Sequence, residues 1–97
     1  MEHLVEFKQG SNHDITADPC DMYRDKKDTI KWKNDTDTNY TIHFDNCPLR
    51  DNDVPVPAKG KSKAIPLRDN VSANIYTYRI NAMPGSVMAA DPNVIVH

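Results

Sequence analysis

The 97-residue chain has no apolar stretch near the roughly 18 residues that span a bilayer. Its opening, MEHLVEFKQG, has neither a cationic start nor an apolar run of signal-peptide length. These absences predict a soluble chain with no export signal and no membrane insertion. Charge of one sign is missing too: 12 Lys and Arg stand against 14 Asp and Glu, which removes any overall electrostatic drive toward nucleic acid. Cysteine is limited to Cys20 and Cys47, without C-x-x-C spacing. Glutamate is nearly absent, since 12 of the 14 acids are Asp, and nine Asn and seven Pro accompany them. Asp, Asn and Pro favour turns, and Pro costs about 3 kcal/mol inside a helix. No internal repeat, low-complexity tract or linker-like shift in composition stands out, so one domain is expected to cover residues 1–97.

What is present alternates. Apolar residues recur at period two in short runs: Val5 and Phe7; Ile30 and Trp32; Tyr40, Ile42 and Phe44; Tyr76, Tyr78 and Ile80; Val94 and Val96. Between them lie turn-rich segments at 10–14, 25–28, 34–39, 45–53 and 68–70. No run keeps a helical period. The expectation is an all-β chain of short strands closing into a sandwich or barrel.

Read in order, Pro19 and Met22, then Asp28, Ile30, Trp32 and Asn34, then the strand NYTIHF, resemble the second and third strands of cupredoxins, the small blue-copper proteins. PAKGKS (Pro57 to Ser62) is similar to that family's strand-ending turn. IYTYRI (Ile75 to Ile80) resembles its thiolate-bearing strand, and NVIVH its closing strand. The likeness runs from Ala17 onward, with one departure: the family's usual Gly-Asp before the third strand is Lys27-Asp28 here. It implies a Greek-key β-sandwich, cupredoxin-like, of seven or eight short strands, and a periplasmic or extracellular setting.

A blue-copper site needs two imidazoles, a thiolate and a weak axial thioether. On the family pattern the first His position falls on Tyr40, and a phenol is a poor copper ligand at neutral pH. The Cys position falls on Ile80, which has no lone pair to offer. The second His falls on Met83, and the axial Met on Met88. The resemblance therefore implies a cupredoxin-like chain that has lost the His/Cys/His ligands, with no cofactor. Tyr40, Ile80 and Met83 would form an apolar plug. The alternative keeps copper: Met83 and Met88 are soft thioethers suited to Cu(I), as in a Cu(I) carrier, or the chain is an electron-transfer cupredoxin with other ligands.

The remaining candidates are weaker. Cys20 and Cys47 fit either one disulfide or two inert buried thiols. His43 alternates away from the core face and is expected to be solvated, and His43 with Cys47 lacks a second ligand pair at zinc spacing. His3, His13 and His97 are expected to be isolated surface residues. Asn34, Asn39 and Asn70 each begin an N-x-S/T sequon, in or beside expected turns. Lys59, Lys61 and Lys63, if extended, line one strand face; they either protect an edge or dock an acidic partner. No nucleophile with a nearby base, no phosphate loop and no paired carboxylates are recognisable, so the chain is not expected to be an enzyme. The expectation is a monomeric, non-enzymatic binding or structural module with a protein partner of unknown identity.

Overall fold

The period-two runs form strands because alternate residues can enter one core while their neighbours face water. The computed structural model describes residues 1–9, 15–17, 19–82, 86–88 and 93–97. Among these, the strands are β1 (Glu2–Gln9), β2 (Ile15–Ala17), β3 (Cys20–Met22), β4 (Thr29–Asn34) and β5 (Tyr40–Phe44), followed by β6 (Asp53–Val56), β7 (Ile65–Pro66), β8 (Asn74–Ala82), β9 (Ser86–Met88) and β10 (Asn93–Val96). Among the described residues a single 3-10 turn occupies Arg24–Lys26. No helix among the described residues is long and apolar enough to cross a membrane.

The strands make two mixed sheets. One has the order β2-β1-β4-β7 and the other β3-β10-β8-β5-β6, with β9 beside β8. β1 runs parallel to β4, aligning Val5 with Trp32, and β10 runs parallel to β3, aligning Val94 with Cys20; the other pairs are antiparallel. There are more strands than the expected seven or eight because several are only two or three residues long. Pro19 has no N–H for a ladder, and the chain changes sheets there: β2 pairs with β1, whereas β3 pairs with β10. Pro55 sits in β6, an edge strand, where a missing donor does no harm.

The inner faces of the two sheets meet in one hydrophobic cluster, which makes the fold a β-sandwich. Every residue of the five alternating runs is buried. Trp32 of one sheet and Tyr78 of the other cross edge to face with centroids 5.4 Å apart, and Phe44 leans on both. The Trp32 indole N–H donates to the Tyr78 hydroxyl at 3.0 Å, so neither polar tip is buried unpaired. Burial pushes the Tyr78 phenol well above its ordinary range and keeps the hydroxyl neutral.

Candidate functional site

Antiparallel register brings together most of the positions that the resemblance assigns to copper ligands. Ile42 pairs with Ile80 and Tyr40 with Ala82 across β5 and β8, so Tyr40 and Ile80 are diagonal neighbours on the inner face. On the other side of β8, Met88 is in register with Ile80. Tyr40 and Ile80 are buried, and the Tyr40 ring stands edge-on to Phe7 at 5.8 Å. These two side chains pack as core and offer neither imidazole nor thiolate, so they do not fit a blue-copper centre. Met83 lies outside the described residues.

Both cysteines are free and buried. The bridge that an even count allowed is not formed; Cys20 starts β3, while Cys47 follows β5 and its sulfur accepts from the Leu49 N–H at 3.3 Å. Burial raises the Cys20 thiol to about 11, helped by Asp21 and Asp28, and burial also raises Cys47. Raised thiols are poor nucleophiles and poor metal ligands at neutral pH.

The lysine row is broken. Lys59 sits in a turn at φ 55°, and the Gly60 N–H donates to Pro57 O at 3.0 Å. A Cβ on Gly60 would come within 2.8 Å of Pro57 Cγ, so the tight turn requires glycine. Beyond it Ser62 is drawn inward, its hydroxyl accepting from the Trp32 N–H at 2.9 Å, and Lys61 makes a single isolated bridge to Lys33. Lys59 lies 3.7 Å from Asp35 and 3.9 Å from Asp37, and Lys63 lies 2.9 Å from Asp51. The three exposed lysines therefore do not line one strand, and two of them face carboxylates.

The histidines are more tied than their spacing suggested. His43 does point outward, but it stands between Asp53 and Arg79 in a row across β6, β5 and β8. Its Nδ1 meets Asp53 at 2.5 Å and its Nε2 meets Asp45 at 3.2 Å, while Arg79 holds Asp45 at 2.7 Å. The two ring nitrogens serve different carboxylates, an arrangement for an ion-pair row rather than a shared metal. Among the described residues no group of three or more His, Cys, Asp or Glu is placed to hold a metal ion. His3 is not isolated: its Nε2 meets buried Asp28 at 2.9 Å. His97 stacks on Tyr23 and meets Asp21 at 2.9 Å. His13 lies outside the described residues.

A cleft of about 650 Å³ opens at one end of the sandwich, lined by Arg24, Lys27, Asp28, Arg50 and 66–71. Part of its wall comes from a repeat, against the expectation of none: Pro-Leu-Arg-Asp-Asn occurs at 48–52, which contributes Arg50, and again at 66–70, which lines it throughout. The copies pair antiparallel about Leu49 and Leu67, with reciprocal bonds from the Arg50 N–H to Pro66 O (3.2 Å) and from the Arg68 N–H to Pro48 O (2.9 Å). The leucines pack on the core, and alternation turns both arginines outward. No family model and no curated protein matches this chain. The cleft is therefore judged by its own chemistry. Asp28, on its floor, is engaged by His3, by the Tyr23 N–H at 2.9 Å and by the Met1 amine at 3.3 Å; burial alone would raise its carboxyl, but these contacts hold it below the ordinary value. The identical pentapeptides were the one signal in the sequence that led to this place.

Proposed function

We propose that the chain is a non-enzymatic binding or structural module on a cupredoxin-like, Greek-key sandwich whose former metal end is filled by core side chains. The observation that carries this is Tyr40 and Ile80, diagonal neighbours on paired strands and both buried, with the Phe7 ring edge-on to Tyr40. The resemblance to cupredoxins is supported by where its segments fall. Pro19 to Met22, Thr29 to Asn34, Tyr40 to Phe44, Asn74 to Ala82 and the closing segment each carry a strand, and PAKGKS turns directly after β6. Lys27, where the family has glycine, holds φ 54° and ψ 41°, the left-handed conformation that glycine adopts freely.

Titration with Cu(II), and anaerobically with Cu(I), tests the proposal through the Tyr ring and Met methyl NMR signals. Neither ion is expected to give saturable shifts. An intense colour with Cu(II), or saturable shifts at Met83 and Met88 with Cu(I), would replace it with the copper-protein alternative. The family alignment has its own test: Tyr40→His, Ile80→Cys and Met83→His together should create a coloured Cu(II) site, with Met88 completing the set. A folded, colourless triple variant refutes the alignment.

A further inference from the structure

We infer that the cleft lined by Arg50 and by the second Pro-Leu-Arg-Asp-Asn segment, 66–70, binds a small ligand bearing an oxyanion, a carboxylate or a phosphate. Four cations, Arg24, Lys27, Arg50 and Arg68, line it against two acids, Asp28 and Asp69. Asp28 is buried, its Oδ2 held by His3 and the Tyr23 N–H and its Oδ1 3.3 Å from the Met1 amine. Asp69 is 88% exposed and reaches only Arg50, at 3.6 Å. The duplicated segment is unequal in its charges: Asp51 of the first copy is taken by Lys63 at 2.9 Å, so Arg68 has no carboxylate partner among the described residues.

Instead Arg68 is fixed by backbone, its Nε donating to Cys47 O at 2.7 Å. Arg24 is pinned in the same manner, Nε to His97 O at 3.2 Å and Nη1 to Val71 O at 3.4 Å. A guanidinium anchored by a backbone carbonyl is already oriented and still holds unused N–H donors, the geometry that favours bidentate carboxylate or phosphate recognition. Two of the three non-glycine residues at positive φ among those described, Lys27 and Asn70, lie on this rim. Such conformations persist where the surroundings enforce them, often at ligand sites. The volume suits a small molecule, and Leu67 and Val71 give it an apolar wall.

The test is an amide and arginine Nε–H NMR titration of the 15N-labelled chain at low salt, once with inorganic phosphate and once with citrate. Saturable shifts confined to Arg24–Asp28, Arg50 and Leu67–Val71 are expected with at least one of them. Tighter phosphate binding assigns a phosphoryl ligand, and tighter citrate binding a carboxylate. Arg68→Gln should weaken the response at least about tenfold, the worth of one charge-assisted hydrogen bond. Arg50→Gln, whose side chain holds no backbone contact, should do the same even if Arg68→Gln fails to fold. Lys61→Gln, outside the cleft, should titrate as wild type. Non-saturating shifts, shifts centred elsewhere, or an unchanged titration in folded Arg50→Gln would overturn the inference. It stands apart from the fate of the copper positions, since copper binding at Met83 and Met88 would leave it intact.

Discussion

Asn34 closes β4, is completely buried, and uses every hydrogen-bonding position on its amide. Its Nδ2 donates to Thr38 O at 2.7 Å and to Val56 O at 3.1 Å, while Oδ1 accepts from the Thr36 N–H at 2.9 Å and the Thr36 hydroxyl at 2.6 Å. Val56 belongs to the opposite sheet, so one side chain ties the 36–38 turn to both layers. Asn34→Ala removes all four bonds and strands the buried Thr36 N–H, while the Thr36 hydroxyl keeps Thr38 O, 3.1 Å away, as an acceptor. At about 1 kcal/mol per lost bond, with a surplus for the one stranded donor, the cost comes to about 3–5 kcal/mol. That is a large share of the roughly 5–15 kcal/mol that holds a small domain together. For a chain of this length it corresponds to a fall in Tm of about 15–25 °C.

Urea unfolding followed by circular dichroism measures this directly, with a thermal scan as a check. Asn34→Asp sharpens it. The carboxylate keeps the acceptor that Thr36 uses, but it turns an oxygen toward the carbonyls of Thr38 and Val56. Burial raises the pKa of such a carboxyl, so the variant should recover part of its stability as pH falls and the group takes a proton that can be donated. If Asn34→Ala lies within about 0.5 kcal/mol of wild type, the amide is not the tie described. The same geometry reinterprets the first sequon: the threonine two residues after Asn34 is there to bond the amide, which leaves no room for a sugar.

Ile80→Ala should destabilise by about 2–5 kcal/mol in the same assay, because Ile80 is wholly buried beside Tyr40; a change of a few tenths would remove it from the plug. Lys27→Gly should stabilise by about 0.5–1 kcal/mol, since the left-handed residue loses its Cβ strain while the unfolded chain gains entropy; a loss of stability would refute strain at this turn. The hydrogen bond to Asp53 raises the pKa of His43, burial opposes the rise, and Asp45 adds to it. A raised histidine stabilises fully below its unfolded value of 6.5 and loses that contribution as pH rises through the folded value. The Tm of wild type should therefore exceed that of His43→Gln in mildly acidic buffer and converge with it in alkaline buffer. A gap independent of pH would refute the charge row.

Much of the fold was legible because alternation reports burial directly. Phe7, Trp32, Phe44, Tyr78 and Val94 each occupy the inward step of a two-residue period, and each is buried. Where alternation is interrupted, the signal fails. Val54 and Val56 flank Pro55 just after the turn-rich 45–53 segment and belong to none of the alternating runs, yet they are buried in an edge strand that tolerates proline. Ile15, Leu49 and Ile65 are buried from segments too short to show a period at all.

The candidate site was harder to read because spacing locates a charge without locating its partner. Lys59, Lys61 and Lys63 have the period of a strand face, but a positive φ at Lys59 and the inward pull on Ser62 separate them. Conversely, Arg50 and Arg68 are 18 positions apart and become neighbours only through the bridge of Leu49 to Leu67. Two identical pentapeptides would be expected to satisfy their charges alike. They do not, because the surroundings differ: Lys63 reaches Asp51, Arg50 reaches Asp69, and Arg68 meets only the Cys47 carbonyl. Which cation is left to meet a ligand is decided by these long-range allocations, so a repeat visible in one dimension acquires its chemistry only when the sheet ends bring its copies together.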